Sequence, residues 1–199
     1  MDREMLEFFK AALSGGVASP LCSEYKSEWR KCGDDKEKLI RFSLSQQALP
    51  YVATYAHMNN SFTKDYVKKA FGEYINGRVF EDCDGVSGYK YALYVDRDCN
   101  EDIDVFVDVC SVMWTVGSNI VIPKTKCPVL YISNRSNVHL VCEGNNNVVV
   151  KLFDESKVTV EDCDSDSKVI VYKYGRRATV ETGKFCLSEP RIFTKELRL

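Results

Sequence analysis

The hydrophobic period of the chain changes once. Up to about residue 77, apolar residues recur at helical spacing, and from Tyr89 onward they alternate. Met5, Phe8, Phe9, Ala12 and Leu13 form one stripe, opened by Asp2 as N-cap and closed by Gly15-Gly16. A second short helix fits Ser23 to Cys32, with Tyr25 and Trp29 on one side. Asp34 or Asp35 caps a third, carrying Leu39, Phe42, Leu44 and Leu49, and Pro50 breaks it. Tyr51 to Met58 continues as a short helix. Thr63 caps the last, where Val67, Ala70, Phe71 and Tyr74 face inward and Asn76-Gly77 is the stop. The first 77 residues thus predict a small bundle of four or five short helices.

Arg78 to Gly88 is polar and reads as a linker. Tyr89, Tyr91, Leu93 and Val95 then alternate with other residues, as do Ile103, Val105, Val107 and Val109. Both are strand patterns, joined by the acidic segment Asp96 to Asp102. From Ser118 to Gly183 a polar pair followed by an apolar residue recurs every nine or ten positions. The copies are Ser118-Asn119-Ile120, Cys127-Pro128-Val129, Ser136-Asn137-Val138, Asn146-Asn147-Val148, Ser156-Lys157-Val158, Ser167-Lys168-Val169 and, more loosely, Arg176-Arg177-Ala178. Inward pairs such as Val138/Leu140, Val148/Val150, Val158/Val160 and Val169/Val171 follow, with turn residues at the joints.

One strand per unit fits two architectures. Two units can make one coil of a parallel β-solenoid or β-roll, or successive units can fold as an antiparallel β-meander. Similar tripeptides at equivalent positions favour the solenoid, because stacking lays like side chains over like. The fold class is α+β. A helical domain at 1–77 is followed by a linker with the first strands at 78–117 and a β-repeat domain at 118–199, whose last residues, Phe185 to Leu199, form a cap.

The 199 residues are 45% hydrophobic with a formal net charge of -2, which fits a folded chain and offers no basic excess for nucleic acid. No signal-peptide core and no apolar run of about 20 residues appears. The expectation is a protein with no membrane or nucleic-acid partner, not secreted by the general route. Nine cysteines at wide spacing, with no Cys-x-x-Cys pair, read as reduced thiols.

The order of features resembles a group of helical-plus-β-repeat proteins of Bacteroidales bacteria and of their phages and prophages. The resemblance lies in the apolar first helix, Leu21-Cys22-Ser23-Glu24-Tyr25, Tyr74-Ile75-Asn76-Gly77, the strand at Tyr89 to Tyr94 and the valine-rich repeat tail. It implies a gut-bacterial or phage origin and brings no catalytic residue to carry over.

Candidate chemistry is sparse. Asp96, Asp98, Asn100 and Asp102 have the alternating oxygens of a calcium loop, but Glu101 stands where the glycine belongs and Val107 where the last carboxylate belongs. They read as a charged loop, and Asp162, Asp164 and Asp166 as a solvated turn. His57 and His139 are the only histidines. His139 points away from Val138 and Leu140, and Cys142 lies on the opposite face, so no dyad is expected. No phosphate loop, nucleophile elbow or His-Glu-x-x-His is present. Arg176 and Arg177, with Lys173 and Tyr172, form a small candidate ligand patch. Tyr51, Tyr55, Tyr66 and Tyr74 read as core. No cofactor is implied. The expected function is a non-catalytic interaction or structural protein binding a protein partner or itself, displayed on His139, Lys151, Glu161 and Tyr172 or at an uncapped end. The alternatives are a binder of a nucleotide signal and a saccharide-acting enzyme.

Overall fold

The computed structural model of the chain describes residues 23–43, 57, 63–81, 90–97 and 101–195. The chain divides into two units, residues 1–72 with 79–91 and residues 73–78 with 92–199.

In the first unit three short helices are described: α1 (Ser23–Cys32), α2 (Lys36–Ser43) and α3 (Lys64–Phe71). Gly33, at φ +55°, ends α1. The Asp35 carboxylate accepts the Lys38 N–H at 3.1 Å as the N-cap of α2, and that bond holds its carboxyl below the ordinary value. Leu39 and Phe42 are buried on α2. Thr63 caps α3 by accepting the Tyr66 N–H at 3.2 Å. The expected helices at residues 2–16 and 51–58 lie outside the described residues, and three short helices among the described residues do not make the expected bundle. The α3 helix ends at Phe71 and a 3-10 turn, Gly72–Tyr74, carries the helical run on to Asn76 and Gly77, whose left-handed φ of +55° and +115° stop it where expected. Asn76 also pins a strand of the second unit, bonding the Val95 carbonyl at 3.1 Å and the Val95 N–H at 2.9 Å.

The strands are β1 (Val79–Glu81), β2 (Lys90–Val95), β3 (Ile103–Asp104), β4 (Val109–Met113), β5 (Val116–Ile122), β6 (Val129–Ser133), β7 (Asn137–Cys142), β8 (Asn147–Phe153), β9 (Lys157–Cys163), β10 (Lys168–Tyr174), β11 (Thr179–Cys186) and β12 (Arg191–Lys195). From β3 on, the chain alternates between two sheets. One runs β3-β5-β7-β9-β11, the other β4-β6-β8-β10-β12 with β2 beside β4. Each strand pairs in parallel with the one two places on in sequence. This is a β-solenoid of about five turns, and the parallel pairing excludes the meander.

The register explains the core. Cys110, Leu130, Val150, Val171 and Ile192 stack in one column, one coil apart, and Ile120, Leu140 and Val160 in another. Strand alternation turns these residues inward from both sheets, so the two columns bury each other. All but Ile192 are buried. Full burial of one such side chain stabilises by roughly 1.5–3 kcal/mol.

The corners repeat as well. The residue leaving each strand of the β4 sheet takes a left-handed conformation: Trp114, Asn134, Asp154 and Gly175. Thr115, Ser136 and Ser156 follow the first three and are buried. The N–H of Thr115 donates to Ser136 Oγ at 3.2 Å, and that of Ser136 to Ser156 Oγ at 3.0 Å. At the other corner the Asn146 N–H donates to Ser167 Oγ at 3.0 Å. These hydroxyls satisfy backbone groups that the turn would leave buried and unpaired.

Three expected repeat copies shift against this register. Asn137 pairs with Val116, so Thr115 rather than Ser118 opens that copy. Thr179 pairs with Lys157, so Ala178 stands where Ser156 stands in the coil before. Val129 pairs with Val149, so Lys126 rather than Cys127 opens its copy. The strands expected at Tyr89 to Val95 and Ile103 to Val109 do not pair with each other; they fall in different sheets, and the chain turns a corner between Asp104 and Val109. The expected C-terminal cap is the last coil itself, β11 and β12.

The register also shifts within strands, first in β5, where Val116 pairs with Asn137 but Asn119 with His139. Leu140 pairs with Val160 but Val141 with Asp162, so Glu161 is an extra residue in β9. In β11 the register shifts again between Thr182 and Phe185. Gly183 lies there against the bulge, and a Cβ on it would sit 2.7 Å from Glu161 Cα and 2.9 Å from its carbonyl oxygen.

Gly183→Ala therefore forces the bulge apart. Urea unfolding should show a loss of about 1–3 kcal/mol, and an unchanged midpoint would mean that β11 is not seated there. Burial also pushes the Cys110 thiol from its ordinary 9.0 up to about 12. The folded state keeps it neutral while the unfolded chain ionises, so its stabilisation is present below pH 9 and is lost as pH rises toward 12. Cys110→Val should remove part of the alkaline loss, by up to about 1.4 kcal/mol per pH unit, measured as the thermal midpoint against pH.

Candidate functional site

The last coil differs from those before it. Strands β11 and β12 are the outermost of their sheets and pair on one side only, with β9 and β10. Each leaves a row of backbone N–H and C=O groups with no strand beyond it among the described residues. The inward columns also end here. Val158, Val160 and Val171 are fully buried, whereas Val180 is half-buried and Ile192, in register with Val171, is 48% exposed. Phe185 and Leu187 are 73% and 74% exposed and Phe193 is 48% exposed. Four of the seven large apolar side chains found exposed in the described chain thus lie within nine residues of this coil.

An aromatic ladder climbs the outer face of the β4 sheet toward the same end. Tyr131, Phe153 and Tyr174 stack nearly parallel, with centroids 6.4 Å and 4.7 Å apart. Tyr172 stacks on Phe193 at 5.5 Å, and the Lys195 ammonium lies 4.5 Å from the Tyr172 ring centre. Lys151 donates to the Tyr131 hydroxyl at 2.8 Å, and burial, followed by the charge of Lys195, holds its ammonium below the ordinary value. Since the rings cover one another, they offer no flat platform to a sugar or a base except at Phe193, the last ring.

The anticipated ligand patch does not converge. Tyr172 lies on the outer face, while Lys173 is in register with buried Leu152. Arg177 is bound to Glu155, which also holds Arg135 at 3.0 Å. Arg176 is exposed in the turn. The acidic candidates are equally dispersed. Asp102 accepts from Asn119 at 2.8 Å, Asp96 is a left-handed turn residue whose N–H bonds Met113, and Asp98 and Asn100 lie outside the described residues. Asp162, Asp164 and Asp166 are exposed, and Asp164 closes its own turn by accepting the Ser165 N–H at 2.7 Å. Among the described residues no group of three or more His, Cys, Asp or Glu could hold a metal ion.

His139 is half-buried on the outer face, and its Nδ1 lies 2.7 Å from Glu161 Oε1. The β9 bulge makes that contact possible, because Thr159 is the residue in register with His139. Cys142 points inward, as expected. His57 is buried, Tyr74 is buried under Arg78, whose guanidinium lies 4.5 Å over the ring, and Tyr66 is half-buried. Tyr51 and Tyr55 lie outside the described residues.

One cluster was not anticipated. Cys142, Cys163 and Cys186 stack in register through three coils as free thiols. Burial pushes Cys163 up to about 11 and Cys142 higher, so these thiols are poor nucleophiles at neutral pH. The signal lay in their spacing of one coil. No family model, no curated protein and no solved structure matches the chain. No helix among the described residues is long and apolar enough to cross a membrane.

Neutralising Glu155 leaves Arg135 and Arg177 unpaired on an exposed corner. Glu155→Gln should cost under about 1 kcal/mol in urea unfolding, with the difference vanishing in 1 M salt. A larger or salt-independent loss would give this charge ladder a structural role.

Proposed function

We propose that the chain is a non-catalytic interaction or structural protein, related to a phage or mobile element, whose β-solenoid is a rigid scaffold for protein binding or self-assembly. In this reading the N-terminal helices form a small domain joined to the scaffold, and the protein works in a bacterial cytoplasm or in a virion. The observation that carries it is the last coil, where Phe185, Leu187, Ile192 and Phe193 are exposed beside two unpaired strand edges. Exposed apolar residues gathered on an open edge are the mark of a protein-binding surface. Catalysis would need converging groups, and among the described residues the candidate carboxylates, His139 and Arg177 are instead paired or spread over separate corners.

The test uses the purified full chain with a panel of nucleotides and with oligosaccharides. The expected result is no product and a thermal midpoint that stays within about 1 °C. A nucleotide that raises the midpoint, with Arg176→Ala plus Arg177→Ala abolishing the rise, would overturn the scaffold reading in favour of a ligand binder. Saccharide turnover lost on neutralising one carboxylate would overturn it in favour of an enzyme.

A further inference from the structure

We propose that the C-terminal coil is the interface of a closed, two-fold dimer, in which two copies of this chain meet end to end through β11 and β12. The inference rests on the scaffold reading above and names its partner.

The form of the surface selects the occupant. It has two strand edges, one in each sheet, on either side of an exposed core column. Packed sheets lie about 10 Å apart. A single peptide strand could satisfy one edge and would leave the other edge and Ile192 in water. The end of another such solenoid presents both edges at the same separation, with apolar side chains between them. A two-fold axis normal to the sheets sets β11 against its copy and β12 against its copy at once, antiparallel in both cases. It also brings Phe193 against Phe193 of the partner subunit, so the ring stack that ends on Phe193 continues across the axis.

The symmetry of the contact decides between a dimer and a filament. At the opposite end β3 is also an edge strand and Phe106 is exposed, although Ala92, Ile103, Val105 and Val107 are buried there. Head-to-tail stacking would join the two unlike ends and polymerises unless it closes into a ring. A two-fold contact uses the same last-coil surface on both copies and consumes it, so this association stops at two. Charge opposes it only weakly. The stretch 176–195 carries Arg176, Arg177, Lys184, Arg191 and Lys195 against Glu181 and Glu189; Arg177 is paired with Glu155, and salt screens the remaining exposed charge. The size also suffices. A stable interface buries about 800 Å² per partner from roughly 20–30 residues, and the stretch 176–195 supplies about that number.

The experiment is light scattering after size exclusion, together with sedimentation velocity, on the full chain from about 1 to 200 µM. The wild type should have the mass of two chains and no larger species. Phe185→Lys with Leu187→Lys should raise the dissociation constant at least tenfold and give the mass of one chain, with an unchanged far-UV spectrum. Ile192→Lys should do the same from the centre of the surface. Phe106→Lys, which charges an equally exposed apolar residue at a distant corner, should leave the dimer intact. A wild type that stays monomeric across this range, a mass that grows with concentration, or a dimer that survives both last-coil variants would each overturn the proposal. A monomer that still binds a different protein would leave the scaffold reading standing without the dimer. A dimer that turns over a saccharide would do the reverse.

Discussion

Parallel register is the constraint on which the rest of the structure depends. Each residue of a coil rests on one about twenty positions earlier, so every coil must reproduce the length and inward pattern of the last. A one-residue slip would turn Val148, Val150 and Leu152 outward and bring Val149 and Lys151 into the core. The corners guard against that slip, because each buried hydroxyl accepts from one particular N–H of the neighbouring coil. Where an extra residue enters, as at Glu161, the next strand must accommodate it, and only a glycine fits over that bulge.

Much of this was legible in the sequence. The change of period near Tyr89, the solenoid and the inward pairs follow from alternation and from the recurrence of Ser136, Asn146, Ser156 and Ser167, which the structure places alternately at the two kinds of corner. The three misplaced copies show where the signal fails. Ser118, Cys127 and Arg176 resemble the motif in polarity, but register is set by hydrogen bonds between coils, which a local pattern does not reveal. Val105 to Val109 read as one strand because inward alternation persists while the backbone turns a corner. The fate of Phe185 to Lys195 was equally hidden. Residues of mixed character suit a cap, yet β11 and β12 extend the sheets because nothing in their backbone prevents pairing with β9 and β10.

The candidate site was legible mainly as an absence of chemistry. The outward residues His139, Lys151, Glu161 and Tyr172 were recognisable from alternation, but their partners were not. Lys151 meets Tyr131, Glu161 meets His139 and Tyr172 meets Phe193, each contact spanning adjacent coils. Solenoid stacking turns sequence separations of about twenty into direct contacts, so side chains that could have formed a reactive cluster are consumed in ladders. The last described coil escapes this fate because β11 and β12 pair with no further strand among the described residues.

The serine corner has one more consequence. Thr115, Ser136 and Ser156 are equivalent, each hydroxyl accepting an N–H from the coil before, from Arg97, Thr115 and Ser136 in turn, whereas Ala178 has no hydroxyl to continue the series. A further coil could therefore be spliced in between Val129 and Asp154 without altering either terminus. Each such duplication would move the two ends of the molecule apart by one strand spacing, about 4.8 Å. The interior thus works as a ruler with fixed graduations, and related lengths would differ by whole coils.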